Sequence, residues 1–195
     1  MTRLRLILWI VVGLAAIGAI LLVLQAPRQG QPTEMPLATI GGPFTLVASD
    51  GKPFASSRLN GRPAAIFFGF THCPDVCPTT LSRLARLRKQ LGSDDAFSIV
   101  FISVDPERDK AEDVGRYAEL FNTPVIGLTG SPAQIEQVKK QFGVYSAKAP
   151  QPGGGYSVDH TATVFLMNRN GQFVATLSPE EGDAVALEKL KRVSA

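Results

Sequence analysis

At 195 residues, with 45% hydrophobic side chains and a formal net charge of +3, the chain holds one ordinary domain plus an N-terminal extension. Setting aside Arg3 and Arg5 leaves eighteen basic residues against seventeen acidic ones. That balance provides no basic stripe and excludes nucleic acid as a partner.

Leu6–Leu24 is nineteen residues without a charge. As a helix it spans about 28 Å, close to a hydrocarbon core of about 30 Å. Arg3 and Arg5 precede it and only Arg28 follows closely, which predicts a cytoplasmic N-terminus. The run exceeds the apolar core of a signal peptide, and Leu24-Gln25-Ala26-Pro27 is a poor cleavage site. Residues 1–26 therefore read as an uncleaved, single-pass anchor. No Arg- and Ser-rich leader precedes it, so the expected setting is a bacterial inner membrane with the C-terminal domain in the periplasm. Residues 27–36, rich in Pro, Gln and Gly, read as a linker, and residues 37–195 as one domain.

Within the domain, Phe44–Val47, Asp50-Gly51 and Pro53-Phe54 predict a hairpin. An apolar strand Ala64–Phe70 leads into a loop carrying both cysteines, then a helix Thr79–Leu91 with Leu81, Leu84, Leu87 and Leu91 inward. Phe97–Val104 is a second buried strand, and Asp109 with Glu112 predicts a capping box for a helix to Phe121. Pro124–Leu128 reads as a strand, Ser131–Gln134 as a helix start, and Gly143 as that helix's stop. Val144–Gly155 reads as an irregular loop, followed by a hairpin (Thr163–Met167 and Gln172–Leu177) and a helix over about Asp183–Val193. The alternation predicts an α/β fold, a central sheet with helices on both faces and right-handed crossovers.

Cys73 and Cys77 fall where a strand hands over to a helix, the end at which such sheets place their sites. Asp75 or Cys77 would cap that helix, with Pro78 in its first turn. Residues four apart share a helix face about 6 Å apart along the axis, so the two sulfurs can form a disulfide or converge on one metal ion. The helix N-terminus also predicts a lowered thiol pKa and a reactive thiolate. Two inert buried thiols or a structural staple are the bland alternatives, and a loop this short gains little from a staple.

His160, beyond the triple glycine Gly153–Gly155, is the candidate third donor, on a segment expected to be mobile. Asp159 could orient it or be a solvated loop carboxylate. Two thiolates and one imidazole suit copper, whereas structural zinc needs a fourth ligand from His72, Asp75, Asp159 or water. His72 adjoins Cys73 and reads instead as a structural or pKa-tuning residue.

The segments FFGFTHCPDVCP (Phe67–Pro78), Asp105–Asp109 and YSVDHT (Tyr156–Thr161) resemble the Sco/SenC family in content and order. The resemblance covers roughly Leu37–Val193 and implies a membrane-anchored, thioredoxin-like copper protein of cytochrome c oxidase assembly. It implies that Cys73, Cys77 and His160 bind a copper ion, Cu(I) or Cu(II), and pass it to the binuclear copper centre of oxidase subunit II. Other copper chaperones or thiol reductants are further implied partners. The family is also proposed to reduce disulfides of the acceptor, which would make Cys73 the attacking thiol and Cys77 its redox partner. For Asp105–Asp109, strand exit and helix cap are one explanation, and docking or loop bracing is another.

Overall fold

The structure, a computed structural model, describes Trp9 and residues 40–194. Apart from Trp9, the expected anchor Leu6–Leu24 and the linker at residues 27–36 lie outside the described residues. Among the described residues, no helix is long and apolar enough to cross a membrane.

The two apolar runs of the sequence become β3 (Ala64–Gly69) and β4 (Ser98–Ser103), buried at every residue and paired in parallel from Ala64–Ser98 to Gly69–Ser103. Burial on both faces explains why they read as continuous apolar stretches without alternation. β5 (Val125–Thr129) extends the parallel set beside β4. β1 (Thr45–Ala48) and β2 (Pro53–Ala55) add the predicted hairpin on that edge. Its turn is closed by Lys52 N–H donating to Asp50 Oδ1, with Gly51 at φ 76°. On the other edge, β8 (Val164–Met167) runs antiparallel to β3 and pairs with β9 (Phe173–Leu177). The order is β2-β1-β5-β4-β3-β8-β9.

Helices α1 (Val76–Gln90), α2 (Ala111–Glu119), α3 (Pro132–Phe142) and α4 (Asp183–Ser194) cover this sheet. Successive strand residues point to opposite faces, and the phenylalanines of β3 show which helix lies where. Phe67 shares its face with Phe101, which meets Tyr117 of α2, whereas Phe68 meets Phe142 of α3. α1 packs on α4, joined by Arg83 Nε donating to Asp183 Oδ1 at 2.8 Å. Leu81, Leu84 and Leu87 of α1 are fully buried, each contributing about 1.5–3 kcal/mol. The result is the mixed-sheet, thioredoxin-like α/β arrangement that the resemblance implied.

Three local expectations change. α1 begins at Val76, not Thr79, with Asp75 at the cap position and Pro78 still in the first turn, where no N–H is needed. The capping box of α2 is shifted by one residue: Lys110 N–H donates to Asp113 Oδ2 at 2.8 Å, which leaves Asp109 for another task. The expected loop Val144–Gly155 is largely a ribbon, β6 (Ser146–Pro150) pairing with β7 (Tyr156–His160). Its turn runs through Gly153, Gly154 and Gly155, all at positive φ, and the ribbon forms a sheet of its own.

Candidate metal centre

Strand β3 ends at Gly69 and delivers Phe70, Thr71 and His72 into a short turn ahead of Cys73. That turn is tied down by Asp109, whose fully buried carboxylate accepts from Thr71 N–H (2.8 Å), Thr71 Oγ1 (2.7 Å) and Ser103 Oγ (2.6 Å). Cys77 then occupies the first turn of α1, and its N–H donates to Cys73 Sγ at 3.4 Å. Gly69 makes room behind it, since a Cβ there would stand 2.7 Å from Cys77 Sγ.

The third donor arrives from β7. His160 Nδ1 lies 3.0 Å from the Thr161 carbonyl oxygen, which fixes the proton on Nδ1 and leaves the Nε2 lone pair free. Nε2 points at Cys77 Sγ, 3.4 Å away. Phe67 and Phe70 meet the imidazole edge-on, at ring-centroid distances of 6.0 and 5.8 Å. The donor atoms of Cys73, Cys77 and His160 all lie within 4.8 Å of one another. Metal–sulfur bonds of about 2.3 Å and metal–nitrogen bonds of about 2.0–2.1 Å place tetrahedral S and N donors roughly 3.5 Å apart, so Cys77 and His160 already stand at ligating separation.

Burial sets the electrostatics of the site. It lowers the His160 pKa below the usual imidazole value, opposed by the Thr161 hydrogen bond and by Asp159, so the ring is a neutral ligand at pH 7. It pushes the Cys77 thiol far up, helped by the hydrogen bond with Cys73. The expectation of a lowered thiol pKa is therefore overturned at Cys77. Desolvation of a fully buried sulfur outweighs the partial charge of the helix N-terminus. A bound cation reverses that balance, because a coordinated thiol gives up its proton outright. Both cysteines are free and buried, so the site is less open than its place at a strand end suggested; Cys73 is the outer of the two, at 9% exposure.

The remaining candidates do not join the cluster. His72 is exposed and turns Nδ1 toward Thr71 Oγ1 (3.0 Å) and Asp109 Oδ1 (3.4 Å). Asp75 accepts from Thr79 Oγ1 at 3.2 Å, and Asp159 is exposed on the ribbon. Among the described residues, no carboxylate completes a four-donor protein cage for zinc. Of the two explanations offered for Asp105–Asp109, the helix cap fails at Asp109 and loop bracing describes what its carboxylate does. The only signal for that role was its place in the Asp105–Asp109 segment, because its partner Thr71 lies 38 residues upstream.

The SCO1/SenC family model matches residues 32–195, a span that contains all three donors. Protein SCO1 homolog 1, mitochondrial, of Arabidopsis thaliana is 42% identical over 139 residues, 70% of this chain but 42% of the relative's length. The chain thus spans less than half of that longer protein. Bradyrhizobium japonicum ScoI, solved with copper bound, shares 42% identity with a TM-score of 0.71, covering 79% of this chain and 99% of that one. BsSco, described as having a disulfide switch and as a member of the Sco family of cytochrome c oxidase assembly proteins, is 27% identical with a TM-score of 0.63 over 84% of this chain and 98% of its own. A family match running through both cysteines and the histidine, on a fold shared almost end to end with a solved relative, shows that this chain belongs to the SCO1/SenC family.

Proposed function

We propose that this protein is a copper carrier of cytochrome c oxidase assembly, with Cys73, Cys77 and His160 as its ligands. The observation that carries the reading is the meeting of two sulfurs and one free imidazole Nε2 within 4.8 Å, from chain segments 83 residues apart. Soft sulfur favours Cu(I), and the imidazole extends tolerance to Cu(II). The copper-bound relative of similar fold supports the choice of metal.

Copper is cargo in this account. On loading, Cys77 loses its thiol proton and His160 contributes a ring that is already neutral, with Nδ1–H held by Thr161. Cys73, the outer sulfur, is the ligand that an acceptor's cysteine can reach and exchange with first. The proposed acceptor is the binuclear copper centre of oxidase subunit II. The proposed setting is the periplasmic face of a bacterial inner membrane, with Leu6–Leu24 as anchor, residues 27–36 as linker and residues 37–195 as the copper-binding domain. The test mixes copper-loaded protein with the reduced, soluble copper-site domain of subunit II. Movement of copper to that domain is expected, and retention of copper on the donor protein overturns the delivery step.

A second reading rests on the two free thiols and on the disulfide switch described for BsSco. Here the Cys73 sulfur attacks an acceptor disulfide and releases one acceptor thiol. Cys77 then loses its proton and attacks Cys73, forming an internal disulfide and freeing the second acceptor thiol. Reduction of an oxidised acceptor domain at equal rate by wild type and His160→Ala supports this reading.

A further inference from the structure

The cysteine pair and His160 belong to two separate pieces of chain, and both pieces are held by the same five residues, Asp105–Asp109. On the cysteine side, Asp109 takes three hydrogen bonds from Thr71 and Ser103, and the Arg108 guanidinium lies 5.8 Å from the Phe70 ring centroid. On the histidine side, Arg108 Nη1 donates to the Tyr156 carbonyl at 2.8 Å, and the guanidinium stacks on the Tyr156 ring at 3.8 Å. Tyr156 returns the contact, its hydroxyl donating to Asp105 Oδ1 at 3.0 Å, while Asp105 Oδ2 accepts from Arg108 Nε at 2.5 Å. Lys148 of β6 adds an ion pair to Glu107.

This closed ring of contacts matters because of the topology. The β6–β7 ribbon pairs with no strand of the main sheet, so no strand ladder to the core fixes β7 itself, although the chain enters β8 at Val164 soon after His160. The segment itself is well anchored: Asp105 is 2% exposed, and Thr129 Oγ1 of β5 donates to the Asp109 carbonyl at 2.8 Å. It touches both arms, through Asp109 on the cysteine side and Arg108 on the histidine side. Arg108 has the geometry for that task, since its planar fork binds a carboxylate and a carbonyl while its face covers an aromatic ring.

We propose that Asp105, Arg108 and Tyr156 form a clasp that sets the distance between His160 and the cysteine pair, which makes Arg108 a positioning residue of the metal centre although it supplies no ligand. The functional part of this inference rests on the copper reading above; the structural part does not. The clasp holds the imidazole in place before metal arrives, so that loading needs no ordering of the ribbon.

The test compares wild type, Arg108→Ala, Tyr156→Phe, His160→Ala and the Arg108→Ala/His160→Ala double variant. Copper affinity is read by competition, and the histidine ligand by its nitrogen signature in X-ray absorption. Arg108→Ala is expected to weaken copper about 10–100-fold, the range for residues that orient a ligand. The nitrogen contribution should fall toward that of His160→Ala. The double variant should be no weaker than His160→Ala alone, since Arg108 acts through that ring; additive losses overturn the proposal. Tyr156→Phe keeps the stacked ring and loses one hydrogen bond, so it should show a smaller loss of the same kind and serves if Arg108→Ala does not fold. Amide hydrogen exchange of the metal-free protein is measured in parallel. Faster exchange across Tyr156–His160 in the Arg108 and Tyr156 variants, with β3 and β4 unchanged, supports the clasp, and unchanged exchange in the ribbon overturns it. If wild type binds no copper, the copper reading falls and the exchange data alone judge the clasp.

Discussion

His160 Nε2 stands 3.4 Å from Cys77 Sγ, and the hydrogen on its other nitrogen is committed to the Thr161 carbonyl. The ring is therefore presented in one tautomer, lone pair toward the sulfur.

Gly69 is the backbone clearance for Cys77. An added Cβ would lie 2.7 Å from its sulfur and 2.9 Å from the Phe101 ring. Gly69→Ala is expected to destabilise the domain by about 1–3 kcal/mol, the usual cost of overpacking, and to weaken copper binding by displacing Cys77. Urea denaturation and copper competition on the same variant check both effects.

Asp109 satisfies three donors from Thr71 and Ser103 at once. Asp109→Ala strands those groups in a buried site, at a cost of about 1–3 kcal/mol or more. Thr71→Val removes only the hydroxyl bond and should cost less. Denaturant midpoints of the two variants give the order, and an Asp109→Ala loss smaller than that of Thr71→Val contradicts it.

Protons and copper compete at Cys77 near neutral pH. The buried thiol keeps its proton until metal displaces it, so Cys77 should make copper affinity rise about tenfold per pH unit between pH 6 and 8. Potentiometric or dye competition across that range gives the slope, and a flat profile contradicts the expectation. His160 is shifted the other way: its folded pKa lies below the unfolded value near 6.5. Between those two values the unfolded chain binds more protons, so the stability due to this group is complete above pH 6.5 and is lost as pH falls toward the folded pKa. His160→Ala should flatten that part of the stability profile, as read by thermal melts from pH 7 to 5.

Much of this is legible in the amino-acid sequence. Ala64–Phe70 and Phe97–Val104 announce buried strands because few other structures tolerate such short apolar runs bounded by turns. Ser131 and Gln134 announce a helix because the capping box is a local device, and in the fold Ser131 N–H does donate to Gln134 Oε1 at 2.9 Å. The β6–β7 ribbon was hidden because Ser146–Pro150 has no β-branched or aromatic residue, and Val158 is its one buried residue. Arg108 and Tyr156, which hold it to the Asp105–Asp109 segment, meet across 48 residues. The shift of the α2 cap has the same origin, since Asp109 answers to Thr71 and not to its own helix. The three donors could be named from their motifs, whereas the burial of the two thiols and the resulting rise at Cys77 depend on how α1 packs onto β3 and β4.

The most direct test of the central claim is the metal content and ligand set of the reduced protein, compared between wild type and His160→Ala by X-ray absorption. One copper held by two sulfurs and one nitrogen in wild type, with the nitrogen lost and binding weakened in the variant, is the predicted result. Wild type that takes up no copper, or a copper environment unchanged by removing His160, contradicts it.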